Sequence, residues 1–438
     1  MEPIEAAQVR PAGADARPAT DQPASALATG TALDPRTAVD VVAERTRTLG
    51  ATLSHHFNAA GAALPSVDVV ATVVDHLRRE ERLGGYEAAA AVRDQSEAVY
   101  DAAAALIGAS AHEIAMFDSA STGLRVLMDA LRPVGGDRIV ASSTTYVSHA
   151  LQLMTIAREQ DVELVVAPVD EHGRMDVAAL DALLADGRPT VLTVSHIPTS
   201  SGLTEPVERI GEISRRHGAT YILDATQSVG HLAVDVDAIG CDALVTTGRK
   251  FLRGPRGTGF AYIRSSLLER LTPTAPDVRG AKWTGMTDWE LTPSARRFET
   301  WESSVAARLG LGVALREAID RGPVDTESWL LGRALVLRRS LSAIPGVSVV
   351  DPEGSTSAIV TFVVDGIGAP EVVEALARVD VRVVSVPDTH GQWDLGARAI
   401  PSVVRASIHV YNDDADVDAL LAAVEGLSPA SGRWEATS

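Results

Sequence analysis

The chain has 438 residues, with 39 basic side chains (lysine plus arginine) against 58 acidic ones, a formal net charge of −19. That acidic balance works against nonspecific nucleic-acid binding. The single cysteine, Cys241, excludes an intrachain disulfide and points to a reducing, cytoplasmic compartment. No apolar run reads as long enough to cross a membrane, and the length calls for two domains or one large domain with a smaller one appended.

Residues 1–34 are rich in Ala, Pro, Asp and Thr and lack the apolar core of a signal peptide, so they read as a disordered tail. Residues 35–75 are expected to complete a small C-terminal domain from the N-terminal side. From 76 to 303, short apolar β-branched runs alternate with amphipathic helical stretches. The predicted strands are Glu113–Phe117, Arg138–Ser142, Val162–Pro168, Thr190–Ser195, Thr220–Asp224, Ala243–Thr247 and Gly259–Ile263. The predicted helices include Leu124–Leu131, His149–Glu159, Val177–Asp186 and Pro206–His217. Strands apolar on both faces, interleaved with helices, predict a mostly parallel seven-stranded sheet covered on both sides. The link from Ala243–Thr247 to Gly259–Ile263 has no room for a crossover helix, so these two are predicted to be antiparallel neighbours.

Beyond Arg297 the pattern changes to an α+β module over 304–428. Long helices are predicted at Ser304–Ile319 and Asp325–Leu341. Half-exposed strands follow at Val347–Val350, Ala358–Val364, Val381–Val386 and Val403–His409, then a closing helix at Asp414–Leu427. Residues 429–438 read as a second tail. The expected class is therefore α/β, a large domain plus a smaller α+β domain. There is no internal repeat and no metal-ligand spacing of the His-Glu-x-x-His or Cys-x-x-Cys kind.

Open α/β sheets bind ligands beyond the carboxyl ends of their strands, and chemistry-bearing residues gather there. Asp224 ends one strand, and Lys250 lies three residues past the end of the next. That is the pair a pyridoxal 5'-phosphate (PLP) site needs: an amine for the aldehyde and a carboxylate for the protonated ring nitrogen. Ser121 and Thr122 sit between a strand and a helix, where they are either phosphate donors or plain helix caps. Tyr146 could stack on a flat cofactor or be a boundary aromatic. Gln227 could donate to a phenolic oxygen or satisfy local backbone. Thr247 and Arg249 flank Lys250, and the arginine's charge disfavours an ammonium beside it. Arg405 could grip a carboxylate in bidentate fashion or pair with Asp413, Asp414 or Asp416. Cys241, just before a strand, reads as a small buried hydrophobe.

Asp224-Ala225-Thr226-Gln227-Ser228-Val229-Gly230 followed by Thr247-Gly248-Arg249-Lys250, with Val404-Arg405-Ala406-Ser407 and Tyr411-Asn412 downstream, resembles the class V aminotransferases, a family of fold-type I PLP-dependent enzymes. The group includes cysteine desulfurases, isopenicillin N epimerase-like proteins and hercynylcysteine sulfoxide lyases. The resemblance runs from about Thr48 to Leu427. It implies that Lys250 is the Schiff-base lysine and acid/base, and that Asp224, Gln227 and Tyr146 hold the ring. It further implies that Ser121, Thr122, Thr247 and Arg249 hold phosphate, and that Thr199 lies near the phenolic oxygen. Arg405, with Asn58 on the substrate side, would bind the substrate, and the protein would be a homodimer.

Two departures stand out. Ser385–Trp393, where desulfurases carry a mobile catalytic cysteine, has none. Trp301-Glu302 stands where relatives reach the partner's phosphate with Gly-Thr, and a carboxylate there would repel it. The resemblance therefore implies a C–S β-lyase on a cysteine S-conjugate or sulfoxide. An aminotransferase, epimerase or decarboxylating relative is the alternative, and a non-catalytic regulatory protein on the PLP fold is a remote one.

Overall fold

The computed structural model describes residues 39–428, so the two expected tails, 1–34 and 429–438, lie outside the described residues. Seven strands form one sheet in the spatial order Ile114–Phe117, Gly259–Ile263, Ala243–Thr247, Thr220–Asp224, Thr190–Ser195, Arg138–Ala141, Glu163–Val166. Gly259–Ile263 alone runs antiparallel to its neighbours, and it pairs with Ala243–Thr247 as the short link requires. The other pairings are parallel. The central strands Thr190–Ser195 and Ala243–Thr247 are buried at every position, because helices cover both faces.

The helices start where the sequence supplies caps. Ser119 accepts a hydrogen bond from the Thr122 N–H to open Ala120–Leu131, and Asp176 takes those of Ala178 and Ala179 to open Val177–Leu184. Val305–Arg321 lies against Arg93–Ile107 and Val67–Leu83 and carries the chain into the second sheet.

That sheet has four antiparallel strands in the order Val347–Val349, Ile359–Val364, Ser402–Ser407, Val384–Pro387. Two expectations change here. The run Val381–Val386 is two strands: Val381–Arg382 pairs in parallel with His55–His56, whereas Val384–Pro387 joins the four-stranded sheet. The inner strands are also buried rather than half-exposed. Helices such as Pro323–Ser342 and Ala369–Ala377 pack on this sheet, Asn58 bridges in parallel to Ser407 at the end of a strand, and the large-sheet turn bearing His231 reaches Ala358.

The stretch Ala59–Leu83 has the length and apolar content of a membrane span, but it is two helices broken at Ala63-Leu64-Pro65-Ser66. Its second part carries charged residues such as Asp75, Arg78 and Arg79 at the surface.

The turn after Lys250 is clamped to the N-terminal segment by buried charge. Arg253, with φ of 62°, donates to Glu44 Oε2 (2.6 Å) and to the Leu64 carbonyl (2.9 Å), and lies over the Tyr411 ring. Arg321 reaches Glu44 Oε1 at 3.0 Å. Burial alone would raise the Glu44 carboxyl; Arg321 and Arg253 outweigh it and hold it below its ordinary value. Removing the carboxylate strands two buried guanidiniums. Glu44→Ala should therefore cost about 3–5 kcal/mol in urea unfolding. Because the folded-state pKa is depressed, wild-type stability from this group should be intact above the unfolded carboxylate pKa and fall as pH drops through the folded one. A Glu44→Ala protein with an unchanged unfolding midpoint would refute the clamp.

Candidate active site

Five strand ends open onto one cleft, with about 600 Å³ of space free of protein atoms. Its walls include Ser121, Tyr146, Thr199, Asp224, Gln227, Thr247, Arg249 and Lys250, eight of the expected site residues. Gly248 makes the tight approach possible: a Cβ there would stand 2.2 Å from Thr258 Oγ1, so only glycine lets the backbone turn Lys250 back over the sheet.

Lys250 is buried, and its Nζ makes no hydrogen bond or ion pair among the described residues. It stands 5.9 Å from the centroid of the Tyr146 ring. Burial, helped by the Arg249 charge and opposed by Asp224, pulls its amine down to about 7. The chain holds only one other lysine, Lys282, which is exposed on a hairpin. Asp224 is also buried, and its Oδ1 takes the Thr226 N–H at 3.0 Å. Gln227 donates from Nε2 to the Ala60 carbonyl at 3.1 Å, and its Oε1 is buried without a partner.

Arg405 stands behind Thr199. Its Nη1 donates to Thr199 Oγ1 (2.5 Å) and to the Thr199 carbonyl (3.1 Å), and its Nη2 to Asn58 Oδ1 (3.3 Å). Nε is buried with no partner. The acidic residues that could have neutralised it are engaged elsewhere: Asp413 and Asp416 pair with Arg45, and Asp414 with Arg333. Burial and the charge of Arg249 pull Arg405 down to about 10, against the opposing pull of Tyr146. It is a buried cation with no carboxylate of its own.

Three expected residues do not line the cleft: Arg405 and Asn58, which connect to it through Thr199, and Thr122. Thr122 is turned away. Its hydroxyl meets that of Ser119 at 3.1 Å, and it lines a neighbouring cavity with Glu302, Ser303 and Arg308. One step along the helix start rotates a side chain by about 100°, so Ser121 faces the cleft and Thr122 does not. Thr247 donates to the Thr258 carbonyl at 3.1 Å, and Arg249 to that of Gly61. Trp301 and Glu302 are exposed and line no part of this cleft.

Thr144, which follows the same strand end as Tyr146, is on the walls, and sequence reasoning missed Ser195 and His149 there. Ser195 ends a strand and His149 opens the helix after one, which is the signal that could have found them. His149 is buried against Thr193 Oγ1 (2.8 Å), and burial lowers its pKa against the pull of Asp224. His390 sits edge-on to Tyr146, with centroids 6.5 Å apart. The segment bearing it is fixed, since Ser200 donates to Asp394 at 2.7 Å and Arg398 pairs with the same carboxylate.

The donor set suits PLP. Asp224 would take the protonated ring nitrogen, and the second Nε2 hydrogen of Gln227 a phenolic oxygen. The N–H groups of Ala120 and Ser121, which open the helix Ala120–Leu131 without an intrahelical acceptor, would meet phosphate, while Ser119 caps that of Thr122. The unpartnered Gln227 Oε1 and Thr226 Oγ1 mark a polar surface the protein leaves incomplete.

Comparison with known proteins agrees. The family model for aminotransferase class-V matches residues 55–420. A cysteine desulfurase of Synechococcus elongatus is 30% identical over 68% of this chain, although the match spans only 47% of that relative's length. A probable hercynylcysteine sulfoxide lyase of Mycobacterium tuberculosis is 30% identical over 86% of this chain and 91% of the relative. Among solved structures, a cysteine desulfurase from Thermococcus onnurineus superposes with a TM-score of 0.81 at 23% identity, covering 92% of this chain and all of that one. The chain belongs to the class V aminotransferase family.

Proposed function

We propose that this protein is a PLP-dependent C–S β-lyase acting on a cysteine S-conjugate or sulfoxide. The observation that carries the reading is Lys250, a buried amine held near 7 at a strand end beside Asp224. An amine in that range is neutral often enough to take a proton near physiological pH and return it.

Bound PLP would supply an electron sink for the charge left at Cα. The protein's own residues do the rest. Arg405 offers Nε–H and one Nη2 hydrogen to the substrate carboxylate, with Asn58 and Thr199 fixing the guanidinium plane. Lys250 takes the Cα proton. Asp224 would face the positive charge of the cofactor ring nitrogen. The sulfur then leaves without passing to an enzyme thiol, because the single cysteine, Cys241, is buried elsewhere and burial pushes its thiol up to about 12.

The assembly we infer is a homodimer working in the cytoplasm on a small amino acid, with no nucleic-acid or membrane partner. Tyr86 and Trp301 are exposed around one open cavity, and Trp283 and Trp289 face each other across an exposed hairpin. Apolar patches of that kind are usually covered. The large domain over 76–303, and the small domain built from 35–75 and 304–428, would work as the two walls of the cleft.

Four outcomes are expected. Purified protein given S-substituted cysteines or their sulfoxides should release pyruvate; keto acid formed only with an amino acceptor would assign transamination instead. Lys250→Ala should lose the cofactor absorbance that borohydride removes from wild type, and its turnover should fall by about 10²–10⁴. In cofactor-free protein, labelling of Lys250 by an amine reagent should rise with pH around 7, well below the ordinary lysine range; a midpoint in that ordinary range would contradict the buried amine. Arg405→Ala should raise KM by roughly tenfold to a hundredfold through loss of charged hydrogen bonds, with Arg405→Lys restoring little of it.

A further inference from the structure

A column of rings runs beneath the Lys250 turn. His231 stacks on Phe251 (centroids 4.2 Å apart, planes at 24°), Phe251 on His409 (5.7 Å, 20°), and His409 on Tyr411 (5.1 Å, 8°). All four are fully buried. Phe251 is the residue after Lys250. Gly230, at φ of 83°, lets the Asp224 turn approach it: a Cβ there would lie 2.7 Å from the Phe251 oxygen.

The two imidazoles do more than fill space. His231 Nε2 accepts from the Ala358 N–H at 2.8 Å, so its proton is on Nδ1, which donates to the Gln227 carbonyl at 3.0 Å. His409 Nδ1 accepts from the Val410 N–H at 2.8 Å, so Nε2 carries the proton and donates to the Phe251 carbonyl at 3.0 Å. Each ring thus joins two backbone groups from different layers. Gln227 and Phe251 belong to the turns that carry the cofactor side of the cleft. Ala358 leads into Ile359–Val364, which pairs with Ser402–Ser407 so that Thr361 faces Arg405, and Val410 follows that second strand. Only a neutral imidazole can donate from one edge and accept at the other. Burial keeps both rings neutral, pulling His231 down to about 3 and His409 well below its ordinary value.

We propose that His231 and His409 are positioning residues that tie the turns bearing Gln227 and Lys250 to the strands bearing Arg405, holding amine and guanidinium in one register. The roles of Lys250 and Arg405 are those of the proposed function, on which this rests. The strap explains why two histidines are buried in the interior with every ring nitrogen satisfied, whereas buried His196 leaves Nδ1 unpartnered.

The test separates hydrogen bonding from packing. His409→Phe keeps a ring in the stack and loses both bonds; His409→Gln keeps an amide that can donate to the Phe251 carbonyl. Glycine, which has the amine and carboxylate but no leaving group, is titrated into PLP-loaded protein by absorbance. His409→Phe should weaken glycine binding about tenfold, the size of one or two lost hydrogen bonds, and shift the pH midpoint of the cofactor band. His409→Gln should recover most of both. In cofactor-free protein, hydrogen exchange over 247–252 and 402–410 should quicken together in His409→Phe.

Wild-type glycine affinity, band midpoint and exchange in His409→Phe would overturn the strap. So would equal losses in both variants that track the loss of urea stability. If His409→Phe does not fold, the pair His231→Phe and His231→Gln reads the same question at Gln227. Failure of wild-type protein to bind glycine would sink the proposed function instead, and the exchange measurement would still judge the strap.

Discussion

Uncompensated positive charge inside the cleft is the constraint on which the rest of the structure depends. In a chain of net charge −19, Lys250 and Arg405 are buried and Arg249 half-buried around one cleft, with Asp224 as the nearby carboxylate. Burying an unpaired cation costs several kcal/mol. Elsewhere the fold avoids that cost: Arg253 and Arg321 share Glu44, and Arg338 has Asp351. At the cleft it does not. The depressed values of Lys250 and Arg405 are the local record of that missing charge, and a dianionic phosphate together with a substrate carboxylate would supply it.

The two layers exist to hold that charge in place. The parallel sheet presents its strand ends side by side, so residues far apart in sequence converge without long side chains. The antiparallel sheet closes from the other side and delivers Arg405 through Thr199. Between them lie the Glu44 clamp, the Asn58 segment and the histidine column. These contacts bring the N-terminal segment up behind the cleft wall, although it is separated from the Arg405 strand by more than three hundred residues.

Much of this was legible before any coordinates. The seven large-sheet strands follow from apolar runs at strand length, and the antiparallel pair follows from a link too short for a helix. Lys250 and Asp224 stood out because strand ends are where such sheets bind ligands. The misses have physical reasons. Thr122 and Ser121 are adjacent hydroxyls at a helix start, and only the helix phase decides which one faces the cleft. The continuous run Val381–Val386 hides a change of partner at Val383, because β-propensity does not say which strand a residue will pair with.

The amino-acid sequence by itself determined the alternation of strands and helices, the amine and carboxylate at neighbouring strand ends, and the lack of a thiol in the Ser385–Trp393 segment. These are local properties of composition and spacing. Only the tertiary structure decided whether Arg405 would be neutralised. Three aspartates within eleven residues could have paired with it, and the fold turned them toward Arg45 and Arg333. Likewise, nothing in the spacing of His231 and His409 says that they stack on either side of Phe251. Charge balance and ring stacking depend on what is near in space, and proximity across this chain is set by the closing of one sheet on the other.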